Sequence, residues 1–159
     1  MLEDFLGLIA NSWPAQALKT SRSLYPLVNA AHILAFATLY GSIATLDLAV
    51  LTKARGEYLA PLARLVPRVA GAALCAAIAT GLILFSVQPF DYAENPAFRA
   101  KLLMVVAGLL HAGALHATPG FRELQATGTA SATLAISAAI SLAIWTAAIV
   151  AGRFIAFMG

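Results

Sequence analysis

Three histidines, His32, His111 and His116, lie in stretches that otherwise read as hydrocarbon. Two of them fall within "GLLHAGALHA", residues 108–117. An ionisable side chain in an apolar span is costly, so each one is a candidate for function. A neutral imidazole is a good ligand for haem iron or copper. It is also a good donor for a hydrogen bond between helices. Met104 stands seven residues before His111, on nearly the same helix face, and adds a thioether. Asp47 is the fourth ionisable group within a span. There is no HxxxH or CxxC spacing, and no nucleophile–base pair is readable, so hydrolytic chemistry has no support.

Depth limits which of these groups can meet. At about 1.5 Å of helix per residue, His32 lies roughly 12 Å, His111 roughly 20 Å and His116 roughly 27 Å from the N-terminal side of the bundle, side A. By this measure an iron between His32 and His111 is feasible. His32 and His116 are too far apart within one chain. His111 and His116 point about 140° apart around their helix. Met104 is level with His32, which makes a His/Met pair the second option. Asp47 near the opposite side, side B, and Arg68 at the start of the second span are expected to pair. Arg68, Arg99, Lys101 and Arg153 lie near span ends and are expected to snorkel to the interface.

The elements that must position these residues follow from composition. The chain is 61% hydrophobic and 11% charged, with mean hydropathy +0.85. A soluble domain carries about 25% charged residues. Four apolar segments, 24–52, 67–89, 97–117 and 130–157, are long enough to span a bilayer as helices. Barrel alternation is absent. Short connections predict an all-α, antiparallel four-helix transmembrane bundle that makes a single membrane domain over 1–159. Leu2, Phe5, Leu6, Ile9 and Trp13 form one apolar stripe, which predicts an interfacial helix over about 2–13, ended by Pro14. Small residues at four-residue spacing (Ala135, Ala139, Ala143, Ala147; and Ala73, Ala77, Gly81) are expected to face neighbouring helices.

The net charge of +3 forms no run, which gives no support for nucleic-acid binding. Cys75 is alone and has no internal disulfide partner. Glu3 and Asp4 stand where a signal peptide would be basic. Lys53, Arg55, Arg64 and Arg68 gather around the first connection, which places side B in the cytoplasm and both termini in the periplasm.

Two stretches carry a family resemblance. "HILAFATLYGSIATLDLAVL" (32–51) and "TGLILFSVQPFDYAENPAFRAKLLMVVAGLLHAGALHA" (80–117) resemble the pattern of a group of small bacterial four-helix membrane proteins. That group is similar to the membrane domain of copper-resistance D proteins and, more distantly, to b-type cytochrome membrane domains. The two stretches cover 58 of the 159 residues and match at His32, Gly41, Asp47, Gly81, Asn95, Pro96, Phe98, Lys101 and His116. The resemblance implies a metal-related or redox role in the bacterial inner membrane, and it favours His116 where depth favours His111.

The leading expectation is therefore a b-type haem protein that passes electrons to or from a partner, with His32, His111, His116 and Met104 as candidate ligands. A copper-handling protein is the alternative. A non-catalytic accessory subunit, with a protein partner or a second copy, is the third. A transporter is the weakest reading, because no inverted repeat or broken helix is visible.

Overall fold

A computed structural model describes residues 1–158; Gly159 and the Leu2 side chain lie outside the described residues. The described residues are almost entirely helical. Four helices are long and apolar enough to cross a membrane: α3 (Leu24–Leu51), α4 (Gly56–Phe85), α6 (Pro96–Ala117) and α8 (Ala132–Phe154, extended by a 3-10 turn to Phe157). Four short helices complete the chain: α1 (Leu2–Ala10), α2 (Trp13–Thr20), α5 (Pro89–Glu94) and α7 (Pro119–Thr127). The long helices run antiparallel in sequence, and most of their apolar surface faces outward. In hydrocarbon this is stable, because each helix satisfies its own backbone polar groups.

The packing order is α4–α3–α8–α6. α3 lies along α4 and also along α8, while α6 packs on α8 and scarcely meets α3 or α4. The predicted ridge on α4 does its expected work: Ala73 and Ala77 are buried, and Gly81 lies against the His32 ring. The predicted ridge on α8 does not. Ala139, Ala143 and Ala147 face outward, and the buried face is Leu134, Ala138, Ser141, Trp145 and Ala148. Trp145 sets this face. A Cβ on Gly108 of α6 would lie 2.7 Å from its ring, so the indole occupies a notch that only glycine leaves open. A bulky ring against a glycine brings α6 and α8 together more tightly than an alanine ridge would.

The second spanning helix starts earlier than its hydropathy suggests. α4 begins at Gly56 and runs through Pro61 and Pro67. Pro67 has no N–H for the Ala63 carbonyl, which costs an internal proline its helix bond. Gln125 of α7 supplies the missing donor, with Nε2 3.0 Å from that oxygen. Arg64 returns the contact, donating to the Gln125 carbonyl at 2.7 Å. Leu59, Ala63 and Val66 then share a core with Phe121 and Leu124 of α7, at the side B edge of the bundle.

The N-terminal segment also departs from expectation. Pro14 does not end a helix; it lies in the first turn of α2, where its missing N–H costs nothing. The chain breaks at Asn11–Ser12. Of the predicted stripe, Leu6 is buried while Phe5 and Trp13 are exposed, and α1 rests on α5. On side A, Asn95 ties α6 to α8. Its Oδ1 accepts from the backbone N–H groups of Ala97 and Phe98, and its Nδ2 donates to the Ile155 carbonyl at 3.1 Å.

Two outcomes follow from this packing. Gly108→Ala should lower stability by about 1–3 kcal/mol, the range for overpacking. Gly113→Ala, with nothing within 4 Å of its Cβ, should not. Unfolding of the purified variants in mixed micelles measures both. The second outcome concerns Tyr92 in α5, whose ring packs at a tilt against Phe85 and Phe98. Burial, and after it neighbouring Tyr25, pushes its phenol up to about 12. The unfolded value is about 10. The folded state therefore keeps Tyr92 protonated longer than the unfolded state. Its contribution is whole below about pH 10 and is lost as pH rises through about 12. Tyr92→Phe should show less of this alkaline loss in an unfolding series from pH 8 to 12.

Candidate functional site

The half of the bundle nearer side A holds a polar cluster built by three helices. His32 comes from the third turn of α3. Thr80 and the Ala77 carbonyl come from α4, and Lys101 comes from the second turn of α6. A carbonyl only accepts, so His32 Nδ1 carries the proton and donates to Ala77 O at 3.0 Å. Thr80 Oγ1 also lies 3.0 Å from Nδ1. That hydroxyl gives its own hydrogen to Ala76 O at 2.7 Å, which leaves its oxygen as an acceptor. The opposite ring nitrogen, Nε2, is then an acceptor, and Lys101 Nζ lies 3.5 Å from it.

Lys101 was expected to snorkel outward. It turns inward instead. Its ammonium sits 5.3 Å from the centroid of the Phe36 ring, and its stem lies against Gly152 of α8. The sequence held a signal for this. Lys101, Met104, Val105 and Gly108 share one face of α6, and Gly108 is the residue that receives Trp145. Phe36 meets Trp145 edge-on at 6.4 Å. Three large side chains thus each lie against a glycine: His32 on Gly81, Trp145 on Gly108 and Lys101 on Gly152. Among the described residues the ion pairs are those of the N-terminus with Asp4 and of Arg55 with Glu57, so none reaches Lys101.

The other candidates are dispersed. His111 Nε2 donates to the Ser137 carbonyl at 3.2 Å, with Ser137 Oγ at 3.0 Å. It lines a cavity of about 430 Å³ between α6 and α8, with Thr118, Ser131 and Thr133. Because Nε2 carries the proton, this contact is an interhelical tie and not a base facing a nucleophile. His116 donates from Nδ1 to Ala112 O at 2.6 Å, and its exposed ring rests on Phe121. Met104 is partly buried one turn beyond Lys101. Asp47 is buried against Ser141 of α8, with Oδ2 lacking a hydrogen-bond partner. The expected Asp47–Arg68 pair does not form, because Asp47 turns toward α8 while Arg68 points to the outer groove of the α3–α4 pair.

These positions bear on a metal site. Lys101 touches His32, and ten residues of α6, about 15 Å, separate it from His111. The fold therefore does not bring those two imidazoles to one iron, as depth along separate helices suggested. His116 lies further still along α6. Among the described residues no group of three or more His, Cys, Asp or Glu gathers where a metal ion could be held. A haem held between two histidines of one chain does not fit this arrangement.

Comparison with family models, curated proteins and solved structures returns no match.

The His111 contact makes a measurable contribution. His111→Ala should lower stability by about 0.6–1.7 kcal/mol, the range for one hydrogen bond between membrane helices. Ser137→Ala should cost less, since the backbone carbonyl remains. Thermal unfolding of the two variants in one detergent checks the order.

Proposed function

We propose that this chain is a membrane-embedded binding protein for an acidic, lipid-soluble ligand, with Lys101 and His32 as its working site. One observation carries the reading. Lys101 holds a cation inside an apolar bundle, turned away from the interface, with no carboxylate beside it. A charge so placed is expensive until an anion meets it. His32 accepts one of the ammonium's hydrogens, and a ligand carboxylate would take another. The site is approached from the side. His32, Phe36, Thr80 and Lys101 are only partly buried, and the α6 backbone scarcely approaches α3 or α4. A ligand that travels in the bilayer can reach it without crossing water.

A second reading keeps one specific support. His32 and His116 each donate from Nδ1 to a backbone carbonyl, the orientation that turns Nε2 toward a metal; at His32 a metal would have to displace Lys101 from Nε2. An electron-passing b-type haem protein would then use His32 with Met104, or His116 with a residue of a second chain. The copper-handling alternative would draw on the same imidazoles. An accessory role in a larger complex would meet Lys101 with a partner's carboxylate.

Oleate and methyl oleate test the first reading directly. Wild-type protein should bind oleate saturably and the uncharged ester at least tenfold more weakly. Lys101→Met should lose that difference while keeping its helical circular dichroism. Equal binding of acid and ester, or oleate binding unchanged in Lys101→Met, would overturn the proposal. A reducible Soret band in the purified protein would put the haem reading first.

A further inference from the structure

Asp47 is a buried carboxyl with an oxygen that the fold leaves without a partner. It sits about 6 Å short of the side B end of α3. It is 7% exposed and lies against the Ser141 hydroxyl of α8, which is equally buried. Its Oδ2 has no hydrogen-bond partner. Its α3 neighbours Leu46 and Val50 belong to an apolar core with Leu134 and Ala138 of α8. Among the described residues no ion pair reaches the carboxyl. α8 carries no charged residue before Arg153. On α4, Arg64 donates to the Gln125 carbonyl and Arg68 lines the outer groove. Arg122 and Glu123 of α7 are exposed, and the Tyr40 hydroxyl of α3 is held by Thr146. An isolated carboxylate in such a place is costly, and one bound proton removes the charge. A hard metal cation would need about six oxygen ligands. Among the described residues no such group of acidic side chains gathers here.

A route to water is the second observation. Ser137 stands one turn before Ser141 on α8, about 6 Å toward side B. Its hydroxyl lies 3.0 Å from His111 Nε2, and both side chains line the cavity of about 430 Å³ between α6 and α8. Thr118, which ends α6, and Ser131, which opens α8, line the same cavity and are exposed, so it opens at the side B edge. A cavity this roomy and this rich in hydroxyls holds water. His111, Ser137 and Ser141 thus make a polar line from that edge to Asp47. Beyond Ser141 the line stops. Trp145, one turn further, is 3% exposed and fills the notch at Gly108, which closes the way to side A.

We propose that Asp47 is a proton-binding site that exchanges with side B through the His111–Ser137 cavity. The step is a proton transfer alone. A hydronium ion in the cavity gives up one proton, and the Asp47 carboxylate gains one O–H bond. The Ser137 and Ser141 hydroxyls each pass on one hydrogen as they accept another. The site stands on the side B half of the bundle and does not depend on the Lys101–His32 reading.

Infrared spectroscopy of the protein in liposomes tests it. At neutral pH the wild type should show the C=O stretch of a protonated carboxyl, and isotope labelling of the aspartate carboxyls should move that band. Asp4 and Asp91 are exposed, so the band belongs to Asp47, and Asp47→Asn should lack it. After transfer to heavy water the band should shift as the proton exchanges. Ala114→Phe, which fills the cavity, should slow that shift at least tenfold. Ala139→Phe, on the outward face of α8, should exchange as wild type does. Absence of a protonated aspartate band from the wild type would overturn the proposal. A carboxylate band that responds to added sodium or lithium would overturn it in favour of a metal-cation site. Equal exchange rates in wild type and Ala114→Phe would overturn the route through the cavity.

Discussion

The side A half of this bundle depends on the seating of Trp145 against Gly108. That contact fixes the rotation of α8, and with it which face of α8 is inward. It also fixes the rotation of α6, so that Lys101, two turns before Gly108 on the same face, points inward. Phe36 of α3 closes on the same indole. One ring in one notch thereby places an ammonium, an imidazole and an aromatic wall together. Apolarity could not do this, because lipid and leucine are alike to a helix in hydrocarbon.

The chain has few polar side chains in its spans and gives each a different setting. His111 joins two helices, His116 bonds to its own helix, and Asp47 is sealed against α8. His32 differs because its ring is fixed on one side by the Ala77 carbonyl and Thr80, yet presents an acceptor on the other. Lys101 differs because its charge stays unmatched. The two together make an inward surface where an added group would relieve a cost; the unpartnered Oδ2 of buried Asp47 is a separate point of that kind. The dispersed histidines argue against an iron between two of them. The apparent agreement in depth between His32 and His111 came from counting along each helix alone. Contact with Lys101 fixes the actual register of α6 against α3.

Hydropathy and length carry the four spans, their antiparallel order and their approximate ends, because span length answers to bilayer thickness. They carry rotation poorly. The alanine ridge of α8 and the inward face of that helix differ only through Trp145, whose partner is a glycine on another helix. The start of α4 was hidden by Pro61 and Pro67, since a proline reads as a boundary until a donor such as Gln125 is seen to replace the lost bond. Trp13 and Pro14 looked like a helix end and instead open α2. That His32 points into the bundle was legible in the sequence. The inward turn of Lys101 was legible only through its shared face with Gly108, because a cation near a span end is otherwise expected to reach water.

The central claim is that Lys101 turns inward onto His32. Solid-state NMR of the protein in lipid bilayers measures it directly, through dipolar recoupling between the Lys101 Nζ nitrogen and the His32 ring. The account predicts a coupling that corresponds to the 3.5 Å separation between Nζ and Nε2, and weak contact of Nζ with water. Absence of that coupling, together with strong water contact at Nζ, would show a snorkelling lysine and contradict the account.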